Sequence, residues 1–338
     1  MLRMTCRLVG LVVLIAAPAA AELPANITGT RPGSEEGPTT VSIYPLVLDV
    51  SRVDGADQSF TADFFLLMRW RDSRLAGAFE ATQRVPLDEV WNPRIQILNQ
   101  RELATTFPDQ AEVAPDGAVE VRQRYHGTFS APMKLRDFPL DRQRFMIQLV
   151  VPGFTPDEVG LSLLPGTDVD VARQGGFSVA DWGFGSIRGA GHPFQVTPGG
   201  PQVSGFVIEF DGRRHLGYWI GKAFVSVAII IAMSWIVFWL DPKYVPARMS
   251  VAITSMLTLV AYRFLLGGDL PQLAYLTRMD HFLVGSTLLV LLTVVQVAFT
   301  TALNDRDLGS RAKRINRLSR WVFPLAFVGL TLTVFWIV

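Results

Sequence analysis

Four apolar segments in the last third of the chain constrain its fold most. Their central stretches, Ala223–Leu240, Met249–Tyr262, Phe282–Leu303 and Trp321–Val338, contain no Asp, Glu, Lys or Arg. With their flanks they give spans at about 217–240, 247–266, 279–303 and 318–338, close to the roughly 20 residues that a helix needs to cross a ~30 Å hydrocarbon core. Four such runs so close together favour a membrane bundle over the interior of a soluble protein. The whole chain of 338 residues is 49% hydrophobic with a formal net charge of +1, so its balance of charge points to no acidic or basic partner, and no nucleic-acid partner is expected.

Residues 1–21 read as a secretory signal peptide: Arg3 and Arg7, then the run "LVGLVVLIAA", then small residues ending at Ala21. The only cysteine, Cys6, falls inside it, so neither a disulfide nor a thiolate is expected in the exported part. Residues 22–38, rich in Pro and Gly, are expected to be loose. Export of the N-terminal domain makes the first span run inward and leaves the C-terminus outside. The connection "NDRDLGSRAKRINRLSR", with Arg306, Arg311, Lys313, Arg314, Arg317 and Arg320, then lies inside, which agrees with the positive-inside bias.

Between the leader and the spans, residues 39–215 alternate short strand-like runs with turn signals. "SIYPLVLDV", "FTADFFLLMRW", "RIQILNQ", "AVEVRQRYHGTF", "RFMIQLVV" and "GFVIEF" are separated by "VDGAD", "APDG", "VPGFTPDE" and "TPGGPQ". This predicts an all-β, immunoglobulin-like antiparallel sandwich, with "HPFQVTPGGPQ" as a long hairpin tip between two late strands. His126, His192, His215 and His281 are scattered without metal-ligand spacing. The chain also lacks a nucleophile elbow, a P-loop and a dinucleotide fingerprint, so no enzyme, metal site or cofactor is expected.

The second span differs from the other three. Helical steps along "PARMSVAITSMLTLVAYRF" place Ser250, Thr254, Leu257, Ala261, Phe264 and Gly268 on one stripe, hydroxyl-lined at one end and apolar at the other. Small and hydroxylated residues also pack spans against each other, so the stripe has two readings: a helix–helix contact or a wettable seam. A seam on one helix cannot enclose water, so the second reading requires several copies around a symmetry axis. Leu257 would then form a collar that stops ions by dewetting.

The plan as a whole resembles the pentameric ligand-gated ion channels, the Cys-loop receptor superfamily. "WRDSRL" (Trp70–Leu75) is similar to that family's W-x-D-x-R-L strand ending, "WNP" (Trp91–Pro93) to its W-x-P, and "LRDFPLDRQ" (Leu135–Gln143) to its F-P-x-D-x-Q loop. "RRHLGYW" is similar to the entry into its first span. Ala131 and Phe145 stand where animal members carry the bracketing cysteines, as in prokaryotic members. The resemblance implies a homopentamer in a bacterial inner membrane, opened by a small-molecule or proton agonist, passing inorganic ions and surrounded by lipid. Same-fold and different-class alternatives are a cation-passing channel and a non-conducting receptor anchored by its spans.

Pro246, Ala247 and Arg248, followed by Thr254, Leu257 and Thr258, resemble the start of the pore helix in glycine- and GABA-type anion channels. Rings of Arg favour anions and rings of Asp or Glu favour cations. An Arg248 ring at the inner mouth therefore predicts anion selectivity, unless Arg248 snorkels into water or pairs with Asp241 of a neighbouring subunit, and Asp269 offers an opposing ring outside. The resemblance also implies coupling residues Asp54 or Asp57, Asp141 and Arg214, with Pro271 and Tyr275 receiving the push. It places the ligand site at Phe65, Leu98, Asn99, Glu120, Arg122, Phe154, His192 and Phe194. Arg122 is suited to a carboxylate.

Overall fold

The structure, a computed structural model, describes residues 27–167, 176–267, 273–306 and 308–337. The expected signal peptide, Gly268, Asp269 and Pro271 lie outside the described residues.

Period-two burial builds the N-terminal half. In β2 (Ser59–Arg71), Phe60, Ala62, Phe64, Leu66, Met68 and Trp70 face inward and alternate with residues that do not. β2 lies between β1 (Thr39–Asp54) and β7 (Ala118–Ser130), antiparallel to both. β3 (Gln83–Pro86), β5 (Gln100–Thr105), β6 (Gln110–Val113) and β9 (Val159–Leu163) complete a seven-stranded sheet, in which β9 runs parallel to β1. The facing sheet has the order β10 (Trp182–Gly191), β11 (Ser204–Arg214), β8 (Arg142–Val151), β4 (Gln96–Ile97).

Aromatic rings bind the two sheets. Phe60 meets Phe129 on its own sheet at 5.4 Å, and Phe145 and Phe210 of the other sheet at 5.2 and 5.8 Å. Each fully buried Phe contributes roughly 1.5–3 kcal/mol. Ala131 and Phe145, at the positions of the family's cysteines, are both buried, so apolar packing occupies that part of the sandwich.

The segment expected to be loose is held over its described part. Ile27 is buried, and Arg74 donates to the Ile27 carbonyl and the Thr30 hydroxyl. Arg31 donates to the Gly37 carbonyl at 2.6 Å. Composition suggested looseness, but two arginines supply donors for the exposed turn carbonyls.

The C-terminal half is four helices long and apolar enough to cross a membrane: α1 (Gly217–Phe238), α2 (Val245–Gly267), α3 (Arg278–Asp305) and α4 (Gly309–Trp336). α1 contains a π-helical stretch, Ile220–Val225, where the Tyr262 hydroxyl of α2 donates to the Lys222 carbonyl. α3 starts on a capping box between Thr277 and Asp280. α2 packs against α1 and α3, and α4 packs against α3.

Candidate functional site

The chain offers three linked candidate regions: one face of α2, the junction between sandwich and bundle, and the edges of the sandwich.

On α2 the buried positions are Arg248, Ala252, Ser255, Leu259 and Leu266, all on one side. Pro246, Ala247, Ser250, Thr254, Leu257, Thr258, Ala261 and Phe264 are exposed, with Leu257 at 65% and Phe264 at 81%. Among the described residues no other part of the chain covers that seam. It runs from a hydroxyl-bearing end through Leu257 to Ala261 and Phe264 and carries no charge.

Arg248 departs from the expectation that it rings the mouth. It is 0% exposed. Its Nε donates to the Val237 carbonyl at 3.2 Å, and its Nη2 to Thr300 Oγ1 at 3.2 Å and Asn316 Oδ1 at 3.0 Å. The reason is helical geometry: at 3.6 residues per turn, position 248 lies about 160° around the helix from position 250. Within this chain Asp241 lies 3.7 Å from Lys313. The Lys243 amide and the charges of Lys313 and Lys243 hold the Asp241 carboxyl below its ordinary range.

At the junction, Arg214 is almost wholly buried. Its Nε donates to Asp141 Oδ1 at 3.0 Å and its Nη1 to Asp181 Oδ2 at 3.3 Å. Its guanidinium lies 5.0 Å from the Phe138 ring centroid and 4.4 Å from that of Trp182. Gln143 donates to the other oxygen of Asp141 at 2.8 Å, which satisfies the buried carboxylate. Asp141 and Arg214 are therefore brought together as the sequence suggests, but their third partner is different. Asp54 accepts from its own turn, from Ala56 N and Asp57 N at 3.0 Å each, and from Arg52 at 2.6 Å. Among the described residues neither Asp54 nor Asp57 forms an ion pair with Arg214. Asp181 takes that place because Trp182 pairs with Arg214 across β10 and β11, and the His215 amide donates to the Asp181 carbonyl at 2.7 Å. Only strand pairing carries that signal.

The F-P-x-D loop reaches three spans. Phe138 packs edge-on to Trp219 of α1 at 4.8 Å. The Leu135 amide donates to the Tyr275 hydroxyl at 3.2 Å. Arg278, at the start of α3, donates to Asp137 at 2.8 Å, and its amide to the Arg136 carbonyl at 3.0 Å. Pro139 and Leu140 share an apolar cavity of about 550 Å³ with Phe335 and Trp336 of α4.

The ligand-site residues fall into two groups. Phe154, His192 and Phe194 gather at one end of the four-stranded sheet. The Ser204 amide donates to the Phe154 carbonyl at 2.9 Å, the His192 amide to the Gly205 carbonyl at 2.9 Å, and the His192 and Phe194 rings are 5.0 Å apart. A side chain at position 205 would collide with Phe194, whose ring lies 2.3 Å from where its Cβ would sit, so glycine there lets the tip fold down. Leu98 stands exposed nearby, its amide donating to the Gln148 carbonyl at 2.8 Å.

Asn99 is not free to meet a ligand. It donates to the Ser130 and Met146 carbonyls and accepts from the Gln148 amide, clamping three backbone segments. Phe65, Glu120 and Arg122 belong to the other sheet. Phe65 contacts Phe107 edge-on at 6.0 Å. Arg122 is committed to Glu112 and Glu120, and Arg69 also pairs with Glu120. Arg84 and Arg122 hold the Glu112 carboxyl below its ordinary range. Within this chain Arg122 is part of a charge ladder of Arg84, Glu112, Arg122, Glu120 and Arg69.

A β-sandwich fused through a buried ion cluster to four membrane-capable helices, one with an uncovered polar seam, defines a multi-pass membrane receptor. Residues 28–182 match the neurotransmitter-gated ion-channel ligand binding domain, and residues 227–309 the neurotransmitter-gated ion-channel transmembrane region. The chain belongs to this family, the pentameric ligand-gated ion channels, whose members are channels and not enzymes. It is 26% identical over 309 residues to the human gamma-aminobutyric acid receptor subunit rho-3, covering 87% of this chain and 65% of that subunit. It is 24% identical over 278 residues to the chicken (Gallus gallus) gamma-aminobutyric acid receptor subunit beta-4, covering 80% of this chain and 56% of that subunit. The chain thus spans somewhat under two thirds of the length of these curated relatives.

Proposed function

We propose that five copies of this chain enclose an anion-conducting pore lined by the α2 seam, and that a small molecule bound between neighbouring sandwiches opens it. The carrying observation is that seam. Pro246, Ala247, Ser250, Thr254, Leu257, Ala261 and Phe264 lie uncovered on one side of α2, while Arg248, Ala252, Ser255, Leu259 and Leu266 are buried on the other. An uncharged strip of hydroxyls facing lipid would gain nothing from its polarity, whereas the same strip facing water is solvated. Leu257 supplies the dewetting collar.

The ligand-face geometry supports a site between chains. Phe154, His192, Phe194 and Leu98 present one wall on the four-stranded sheet. Phe65 and the ladder around Glu120 and Arg122 lie on the other sheet, so one chain supplies two half-sites. The agonist class stays open among protons, amines, amino acids and small acids. Two relatives are receptors named for gamma-aminobutyric acid, so that amino acid belongs in the first panel.

Anion selectivity is supported by the absence of any acid on the described seam and by the Pro246–Ala247–Arg248 start that resembles anion channels. Ala131 and Phe145 in place of cysteines support a bacterial inner-membrane setting, with the sandwich in the periplasm and, by the count of spans, the C-terminus there too. The same reading takes residues 39–215 as the ligand-binding domain and 216–338 as the channel domain.

The test is recording from the purified protein in planar bilayers under a sodium chloride gradient. A reversal potential near that of chloride is expected. A potential following sodium would retire anion selectivity, and the absence of any unitary conductance across the agonist panel would retire the channel.

A further inference from the structure

Arg248 is buried with only neutral groups in direct contact with its guanidinium. Arginine stays protonated inside proteins. Among the described residues it forms no ion pair, and its polar partners are a carbonyl, a hydroxyl and an amide. Asn316, on α4 and 3% exposed, is the pivot: its Oδ1 accepts from Arg248 Nη2 at 3.0 Å and from Gln296 Nε2 of α3 at 2.8 Å. Thr300 Oγ1 in turn donates to the Gln296 carbonyl at 2.9 Å. Arg248 Nη1 and Gln296 Oε1 are buried without partners. The nearest acid in sequence, Asp241, makes no hydrogen bond or ion pair with Arg248 and acts on it only through space, and is itself held by Lys313 and Lys243. A buried cation without a carboxylate costs stability, yet three helices here present only neutral oxygens to it.

We propose that Asn316 and Gln296 are positioning residues that hold this positive charge behind the inner end of the α2 seam, and that the charge sets the sign of ion passed without touching it. The inference rests on the proposed anion pore. Pro246, Ala247 and Ser250, the seam residues flanking Arg248, are neutral, so at that end of α2 the helix's own charge sits behind the wall, with Lys243 and Asp241 in the loop before it. Charge held in the bundle is screened by salt far less than charge in water. It is also fixed in place before an ion arrives, so no reorganisation accompanies permeation.

Asn316→Asp tests this without altering the seam. It keeps an acceptor for both Arg248 and Gln296 and adds the missing negative charge. Gln296→Glu adds the charge from α3, giving up the Nε2 donor to Asn316 but offering an acceptor to the unpartnered Arg248 Nη1, and serves if the first variant fails to assemble. Reversal potentials of the full-length protein in a sodium chloride gradient are the readout. Both variants should lower the chloride-to-sodium permeability ratio by about tenfold or more, the scale of one unit charge at ~10 Å in an effective dielectric near 20. Asn316→Leu, which removes the acceptor but adds no charge, should reduce current while holding the ratio near the wild-type value; a purely structural role would move current in all three and the ratio in none. Conducting Asn316→Asp and Gln296→Glu channels with the wild-type ratio would overturn the inference. A wild-type channel that follows sodium would overturn the anion reading itself, and this inference with it.

Discussion

Two buried arginines, one on either side of the first span, are treated in opposite ways. Arg214, just before α1, is wrapped by two carboxylates and two aromatic rings. Arg248, just after it, is given a carbonyl, a hydroxyl and an amide. The first arrangement cancels charge and leaves geometry: a strut that ties β10, β11 and the F-P-x-D loop together above the bundle. The second keeps the charge and fixes its place. Sequence similarity between two basic positions therefore says little about their roles; the acceptors around each decide.

Removing the strut should have the largest effect. Arg214→Ala leaves Asp141 buried and unpaired, a loss of about 3–5 kcal/mol. Thermal unfolding of the detergent-solubilised protein should show it, and agonist-evoked current should fall with it. Arg214→Lys should rescue little, because an ammonium lacks the planar fork that reaches both Asp141 and Asp181. Full stability in either variant would erase the contrast drawn above.

Next is the collar. Leu257→Ser replaces the exposed apolar centre of the seam with a hydroxyl, and if dewetting closes the pore it should leak without agonist. An unchanged closed state would place the barrier elsewhere. Smaller still is Tyr275→Phe, which deletes the acceptor for the Leu135 amide. A loss of about 1 kcal/mol is expected, read as a right-shifted agonist response with unchanged unitary conductance.

The smallest effect belongs to Asp54→Asn. The Asp57 amide, helped by Arg52 and Ala56, lowers the Asp54 carboxyl below its ordinary range. A carboxyl depressed in the folded state stabilises above its unfolded pKa, and that contribution is lost as pH falls through the folded value. The variant should melt roughly 2 °C lower at neutral pH and converge with the wild type in acid. A larger effect on gating than on melting would restore Asp54 to the coupling cluster.

The sandwich and the four helices were legible because period-two alternation and uncharged apolar runs are strong local signals. β10 was not: Gly183, Gly185, Gly189 and Gly191 erase its alternation, and the reason lies in space. A Cβ at Gly189 would stand 2.8 Å from the Phe206 ring, and one at Gly191 2.4 Å from the Leu161 carbonyl. The seam is readable from helical spacing, whereas Arg248 adjoins it in sequence but lies on the buried side of the helix. Asp141 with Arg214 followed from motif position. Asp181, Asn316 and Gln296 did not, since each is brought in by pairing or packing from a distant element. Of the two glutamates that hold Arg122, Glu120 is two residues away on β7, whereas Glu112 is brought in across the pairing of β6 with β7.

Cysteine scanning along α2 tests the central claim most directly, because the sequence holds no cysteine beyond Cys6. A charged, water-soluble thiol reagent should react with Ser250→Cys, Thr254→Cys and Ala261→Cys in bilayer-embedded protein and block their currents, while Ala252→Cys, Ser255→Cys and Leu259→Cys stay inert. Equal reactivity on both sides of the helix, or reaction at Thr254→Cys with current untouched, would contradict a water column bounded by that face.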